Sequence, residues 1–213
     1  TKLVHSCLLV EKDGKKALVD PGNYSWASGV VDQNQLRDVD YILITHAHPD
    51  HIDETFASVV NELSPNAIWY MTNSTKKKLH KLPGIQIETD SVLSDVVYVK
   101  SKHADLTNWG DCEDHTSFVL FEDILIGGDC HTLTSMHGAS IFAAAINGGP
   151  WGSVTTFLSM VASMSDKPII VLPLHDWHWN DTARVNFYSG LKTALDKLGT
   201  EFIPLSDALA VEV

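Results

Sequence analysis

Three histidines and one aspartate stand within six positions of this chain, directly after the strand-like run Tyr41–Ile44. Side chains at the end of a strand project into a shared mouth, and alternate residues of a loop can converge on one point. Neutral imidazole and carboxylate are ligands that Zn, Fe and Mn accept. One ion cannot use all four side chains of so short a loop. The pattern therefore predicts two adjacent ions, with His46 and His48 on one and Asp50 and His51 on the other.

Two later polar residues also follow strand-like runs. Asp129 ends the apolar run 124–128, whose two glycines would let the backbone approach an ion closely. His175 ends the run 167–174, which has the pattern of a buried strand. We expect both residues to complete the ligand set, with the carboxylate of Asp129 able to bridge two cations.

These motifs resemble those of the metallo-β-lactamase superfamily, and they run in the order found in that family. Asp20 follows a strand in Leu-Val-Asp-Pro-Gly, and Thr-His-Ala-His-Pro-Asp-His-Ile-Asp comes next. A histidine, Gly-Gly-Asp and a strand-ending histidine complete the series, so the resemblance spans about residues 3–180. It implies an α/β fold, a four-layer αββα sandwich of two mixed sheets with a binuclear metal centre along one edge. It also implies a metal-bound hydroxide as the nucleophile.

The resemblance extends to a particular branch of the superfamily. Residues 4–8, which lead into Asp20-Pro21-Gly22, look more like the ascorbate-phosphate lactonase and phospholipase D-like branch than like true β-lactamases.

The superfamily places one further histidine ligand between the first cluster and Asp129, and two candidates are present. His115 stands just before the strand-like run 117–121, as in the third motif of the family, but only 14 residues before Asp129. His103 follows the strand-like run Val96–Lys100, which fits the lactonase-like branch. We favour His115 as the metal ligand and expect the other histidine to line the pocket.

Other polar residues are expected to support the chemistry. Asp20 is expected to orient ligand histidines by hydrogen bonding rather than to bind metal, because such carboxylates fix the imidazole tautomer. His5 is assigned the same supporting role. Asp50 counts both as a ligand and as a catalytic residue. His178 is a candidate proton donor to the leaving group, the alternative being a loop histidine packed by the neighbouring tryptophans.

Composition is that of a globular protein, and we expect one hydrolase domain over residues 1–213. The net charge of −12 argues against binding to nucleic acid or anionic membranes, but bound cations would still admit a phosphorylated small-molecule substrate. The basic cluster at residues 76–78 is expected to be a solvated helix face.

No apolar stretch approaches ~20 residues, so no membrane span is predicted. Without a recognisable secretory segment, a cytoplasmic location is the default. The oligomeric state stays open.

Three cysteines do not make a disulfide framework. Cys7 falls in a strand pattern and is expected in the core. Cys112 and Cys130 flank the expected site, and Cys130 is assigned to packing or support. Thiolate ligation is conceivable, but Asp129 already fills the ligand position of the family.

The pattern of apolar residues and turn signals places the secondary structure. Asp13-Gly14 predicts a hairpin turn, and the stretch 133–150 is expected to be a loop with a short helix near the site. Helices are predicted at 54–63, 74–82, 153–164 and 182–198. Strands are predicted at 3–10, 16–20, 41–45, 67–71, 96–100, 117–122, 124–128, 169–174, 202–204 and 209–213.

The functional prediction is a binuclear metal-dependent hydrolase. Its substrate would be an ester, lactone or phosphoester bond of a small molecule, and its two divalent ions would be Zn first, then Mn or Fe. Two alternatives remain open: a nuclease-type phosphodiesterase and a metal-binding relative without catalytic activity.

Overall fold

A computed structural model describes residues 1–82, 86–88, 95–106, 110–147 and 152–213, with the backbone alone at 86–88. The chain forms two compact units. The first unit comprises Thr1–Ser91, Cys112–His115 and Ser206–Val213, and the second comprises Val92–Asp111 and Thr116–Leu205. Each unit contains one six-stranded mixed sheet and its own helices. The prediction of a single domain stays a prediction.

The sheet of the first unit has its strands in chain order. The first three strands are antiparallel, and the last four run parallel. Asp13 and Gly14 both have positive φ, 51° and 77°, and form the expected hairpin turn. The strands are β1 (Lys2–Val4), β2 (Cys7–Lys12), β3 (Lys15–Val19), β4 (Tyr41–Ile44), β5 (Ile68–Met71) and β6 (Gln86–Glu88).

The helices of the first unit are α1 (Asn23–Ser28), a 3-10 turn (Gln33–Leu36), α2 (Glu54–Leu63) and α3 (Asn73–Lys78). Asp53 caps α2, since its carboxylate accepts a hydrogen bond from Phe56 N at 2.8 Å. The buried side chains of α2 join the core of this unit, which also contains Cys7 as expected. Burial raises the pKa of the Cys7 thiol well above its usual range.

The sheet of the second unit also follows chain order, from β7 at one edge to β12 at the other. Its first three strands are antiparallel and its last four parallel. The core of the unit includes Phe142, Phe157 and Cys130. Its elements are β7 (Val96–Lys100), β8 (Thr116–Leu120), β9 (Ile124–Ile126), β10 (Ile141–Ala145), α4 (Val154–Ser163), β11 (Ile170–Leu174), α5 (Asp181–Asp196) and β12 (Glu201–Phe202).

Several boundaries differ from the sequence predictions. The stretch 133–150 is not a loop with a short helix, because β10 lies within it as an interior strand between β9 and β11. The strand predicted at 209–213 is wrong, since these residues form no strand. The run 3–10 is two strands, because His5 has φ 57° and turns the chain. No helix among the described residues is long and apolar enough to cross a bilayer.

Candidate metal centre

The loop between β4 and α2 carries the four side chains of the first histidine cluster. The backbone N–H groups of His51 and Ile52 both donate to His48 O at 3.0 Å, and this turn folds the loop back on itself. His46 and His51 are buried, with ring centroids 4.0 Å apart. His46 Nε2 lies 2.9 Å from His48 Nδ1. The structure therefore brings these imidazoles together.

Asp20, at the end of β3, holds the start of this loop. Its Oδ1 accepts a hydrogen bond from Thr45 N at 2.8 Å, and its Oδ2 accepts one from the Thr45 hydroxyl at 2.9 Å. The same Oδ2 lies 2.8 Å from His51 Nδ1. A proton on Nδ1 directed at this carboxylate leaves a lone pair on His51 Nε2, which lies 3.4 Å from the Ser6 hydroxyl and is of the kind that binds a cation. The geometry fits the orienting role expected for Asp20.

His5 supports the carboxylate of the loop. Its buried Nε2 lies 3.3 Å from Asp50 Oδ2, and its ring packs edge-on against Tyr24 with centroids 4.9 Å apart. Asp50 is one-fifth exposed, so part of its carboxylate faces solvent.

The backbone beside Gly22 fits the loop closely. A Cβ on Gly22 would lie 1.9 Å from Asp50 O, well inside any real contact distance. Flanking hydrogen bonds fasten the same two segments, from Asn23 N to Pro49 O at 2.9 Å and from Asp53 N to Pro21 O at 3.0 Å. Glycine is required here by the close approach of backbone to backbone.

Lys78, the last residue of α3, contacts the same loop. Its ammonium donates to Ala47 O at 3.1 Å and to Ile52 O at 3.0 Å. Burial lowers the pKa of Lys78, and the nearby carboxylates, Glu54 foremost, act in the opposite direction. The basic cluster at 76–78 is therefore not entirely a solvated face. No signal in the sequence distinguishes this lysine from the two before it.

A short segment of the first unit brings two further donors close to His46. The His115 ring lies 5.2 Å from the His46 ring, centroid to centroid. The potential ligand atoms of His46, His48 and Cys112 all lie within 4.8 Å of one another. Asp114 fastens the segment to α3 by accepting hydrogen bonds from Ser74 N at 3.1 Å and from the Ser74 hydroxyl.

Asp114 titrates below its ordinary range. Partial burial acts to raise the pKa of this carboxyl, but hydrogen bonds from Ser74, Thr72 and the backbone outweigh it and lower the pKa.

The second unit contains a separate group around Asp129. Asp129 Oδ2 lies 3.5 Å from His103 Nε2 and 3.3 Å from His175 Nε2, and all three side chains are buried. His103 Nδ1 donates to Ala104 O at 2.6 Å, and His175 Nδ1 donates to Asn147 O at 2.6 Å. With these protons placed on Nδ1, two Nε2 lone pairs point at a carboxylate. Such an arrangement of acceptors calls for a cation, either a metal ion or a second proton on each ring.

His178 is exposed on the turn after β11, where its Nε2 lies 3.3 Å from the Asn147 amide nitrogen. Its ring centroid is 5.7 Å from that of His175. Beside it, buried Asp176 accepts a hydrogen bond from the Tyr188 hydroxyl and forms an ion pair with Arg184, whose Nε lies 3.4 Å from Asp176 Oδ2. This network holds the turn that presents both histidines.

His131 and Gly127 have structural roles. His131 Nε2 donates to Ala145 O at 2.8 Å, and burial lowers the pKa of this imidazole. A Cβ on Gly127 would lie 2.8 Å from the Phe142 ring. The first of the two glycines before Asp129 therefore makes room for an aromatic ring, whereas the sequence pattern suggests that the glycines make room for an ion.

The structure thus gathers the sequence-predicted residues into one group in each unit. The second group comprises His103, Asp129, His175 and His178. The first comprises His5, Asp20, His46, His48, Asp50, His51 and His115.

Comparison with known proteins identifies the fold. The family model of the metallo-β-lactamase superfamily matches residues 1–52. A Mycobacterium tuberculosis protein, Rv0786c, is 26% identical over 99% of this chain and 98% of its own length. A crystal structure described as a metal-dependent hydrolase from Parabacteroides distasonis superposes with a TM-score of 0.70 at 18% identity, covering 96% of this chain and 90% of the other. Igni18, a metallo hydrolase from Ignicoccus hospitalis, superposes with a TM-score of 0.65 at 15% identity, covering 99% and 96%.

The predicted α/β class with two mixed sheets and flanking helices is confirmed by these structural relatives. They do not select a branch of the superfamily. Residues 1–52 thus match the metallo-β-lactamase superfamily, and nearly the whole chain has the fold of these metallo-hydrolase structures.

Proposed function

We propose that this protein is a hydrolase that uses two divalent transition-metal ions to cleave an ester, lactone or phosphoester bond of a small molecule. The observation that carries the proposal is the group of pre-oriented imidazoles and carboxylates in each unit. In the first unit, Asp20 and Thr45 fix the rings of His46 and His51. In the second, backbone carbonyls fix both histidines that face Asp129.

The donor set fits such ions. Imidazole nitrogen and carboxylate oxygen suit Zn, Mn and Fe, and Zn is our first choice. Ligands with outer hydrogen bonds that fix tautomer and ring orientation are typical of metal sites. The proposed ligands number seven, enough for two ions with positions left for water: His46, His48, Asp50, His51, His103, Asp129 and His175.

His103 replaces His115 as the histidine ligand that we propose between the loop and Asp129. His103 faces Asp129 with its Nε2, and its other ring nitrogen is committed to Ala104 O. His115 lies beside His46, with the two ring centroids 5.2 Å apart. We assign His115 to the surroundings of the site.

The ions, when bound, would lower the pKa of a water molecule and polarise the bond under attack. The residues of this chain have supporting tasks. Asp20 keeps the proton of His51 on Nδ1, and His5 holds the carboxylate of Asp50. His178 is exposed and positioned by Asn147, and we assign to it the transfer of a proton to the leaving group.

The acidic surface supports a small-molecule substrate over a nucleic acid. A net charge of −12 repels a polyanion, whereas bound cations would attract a single phosphate or carboxylate at the site itself. A nuclease-type activity is the alternative function, and assays on phosphodiester substrates distinguish the two.

Purified protein should be loaded with Zn, Mn or Fe and tested on lactone, thioester, phosphomonoester, phosphodiester and β-lactam substrates. We expect hydrolysis of at least one small ester, lactone or phosphoester, lost on chelation and restored by metal. His46→Ala should lose activity and bound metal. His80→Ala, which changes an exposed histidine outside both groups, is the matched control and should retain both.

Cleavage of oligonucleotides but of no small-molecule substrate would show a nuclease-type phosphodiesterase instead. Metal binding without turnover of any substrate would favour a non-catalytic relative. Full activity in metal-free protein would contradict the proposal.

A further inference from the structure

Cys112 belongs to the cluster of potential metal donors on the first unit. Its Sγ, a nitrogen of His46 and a nitrogen of His48 lie within 4.8 Å of one another. His46 is buried, and His48 and Cys112 are partly buried. The thiol is therefore part of a three-donor group that includes two of the proposed ligands.

The dimensions of this group suit one small cation. In a tetrahedral zinc site, two ligand nitrogens are about 3.3 Å apart, and a nitrogen and a thiolate sulfur about 3.6 Å. His46 Nε2 and His48 Nδ1 are 2.9 Å apart, and the sulfur lies within 4.8 Å of a nitrogen of each ring. Shifts of a few tenths of an ångström to about one ångström would bring all three donors to coordination distance.

The segment that carries Cys112 is held in place independently of any ion. Asp114 accepts hydrogen bonds from both the backbone and the hydroxyl of Ser74 in α3. The Cys112 thiol donates to Asp114 O at 3.1 Å, so its sulfur is positioned by the same turn. The contacts between Asp114 and Ser74 do not involve the thiol proton, so the segment that carries the sulfur loses little conformational freedom when a cation binds.

We propose that Cys112 is a thiolate ligand to the ion held by His46 and His48, which gives that ion two nitrogens and one sulfur from the first unit. This rests on the proposed function, because it requires that this loop hold an ion. Coordination replaces the S–H bond by a sulfur–metal bond, the thiol proton is released to solvent, and the hydrogen bond to Asp114 O is given up. A soft thiolate favours zinc, cobalt or iron over manganese at this position.

Cobalt(II) is the probe, since a cobalt–thiolate bond gives an intense near-ultraviolet charge-transfer absorption that nitrogen and oxygen ligands do not give. The chelated protein is titrated with cobalt, and bound cobalt is measured by elemental analysis alongside the spectrum. We expect the charge-transfer absorption in the wild type and its loss in Cys112→Ser, with cobalt still bound through the other ligands.

Cys130→Ala and Cys7→Ala are the matched controls, because both cysteines are buried in the cores and lie outside the three-donor group. Both variants should keep the absorption. If Cys112→Ser does not retain its fold, the wild type and the two controls still decide whether any thiolate binds and whether it is one of the other two.

Cobalt bound to the wild type without charge-transfer absorption would overturn the thiolate and leave the proposed function standing. Absorption that survives Cys112→Ser and disappears in Cys130→Ala would move the thiolate to Cys130. A wild type that binds no cobalt, zinc or iron would contradict both the thiolate and the proposed function.

Discussion

At the scale of single residues, Asp20 and Gly22 support the metal-binding loop in different ways. Asp20 acts through its carboxylate, which holds Thr45 and His51, and it has φ 44°, a left-handed conformation that few side chains adopt readily. Gly22 allows the loop to approach because it has no side chain, and Asp50 O lies where a Cβ would be. Both constraints belong to the short turn that follows β3.

Gly22→Ala should displace the loop. The added methyl would overlap Asp50 O, and neither backbone can move without breaking the hydrogen bonds on either side. We expect a loss of about 1–3 kcal/mol in the free energy of unfolding, typical of overpacking, together with weaker metal retention. Chemical denaturation and elemental analysis after dialysis measure the two effects.

Gly190→Ala is the matched control. Gly190 lies within α5 and has no positive φ, and a Cβ there would meet no other described part of the chain within 4 Å. Alanine should therefore stabilise the helix by about 0.5–1 kcal/mol. A Gly22→Ala variant that matched this control in stability and metal content would contradict the role given to Gly22.

At the scale of elements, helices with clear caps could be predicted well from the sequence. The bounds of Glu54–Leu63 were predicted correctly because Asp53 precedes an amphipathic run. The helix predicted at 153–164 is Val154–Ser163, one residue shorter at each end, because Ser153 caps it and forms a capping box with Thr156. Strand β10 could not be found in this way. Its Ile-Phe-Ala-Ala-Ala sequence lies in a stretch of small residues and is buried on both faces, so it lacks the alternation that marks a half-buried strand.

The site shows the same division. The loop from His46 to His51 is contiguous, so the gathering of its side chains could be predicted from spacing alone. The choice between His103 and His115 depends on where two separate loops lie, and the contact of Lys78 depends on the packing of α3. Neither the choice of histidine nor the lysine contact can be predicted from a local sequence pattern.

Lys78→Met should loosen the loop while leaving α3 intact. The substitution keeps most of the apolar stem and removes the charged donor shared by Ala47 O and Ile52 O. Charge-assisted hydrogen bonds of this kind contribute about 1.5–3 kcal/mol, so we expect the free energy of unfolding to fall by about that amount. Hydrogen exchange at residues 47–52 should accelerate more than exchange in β4.

Lys76→Met, two residues earlier on the exposed side of α3, is the matched control and should change neither quantity appreciably. Equal effects of the two substitutions on the free energy of unfolding and on hydrogen exchange would mean that the contacts of Lys78 do not stabilise the loop.

At the scale of the whole molecule, each unit has its own group of proposed ligands, and the count of bound ions tests them together. We expect close to two transition-metal ions per chain and a loss of about one in Asp50→Ala. Ions that bind only the folded chain stabilise it, by about 2.7 kcal/mol at a free concentration of 100 times Kd. Elemental analysis and thermal unfolding, with and without chelation, supply both measurements.

A single ion per chain, unchanged in Asp50→Ala, would contradict the binuclear proposal. A melting temperature independent of chelation would show that the ions do not bind preferentially to the folded protein.

The hydrogen bonds along the loop at 46–52 also affect which cations the loop can bind. The carbonyl oxygens of Ala47, His48, Pro49 and Ile52 each accept a hydrogen bond from the protein, and that of Asp50 packs against Gly22. Calcium takes six to eight oxygen ligands, many of them backbone carbonyls, whereas this loop presents imidazoles and four of its carbonyls already accept hydrogen bonds. We therefore expect the loop to discriminate against calcium, because these carbonyl oxygens are already hydrogen-bonded.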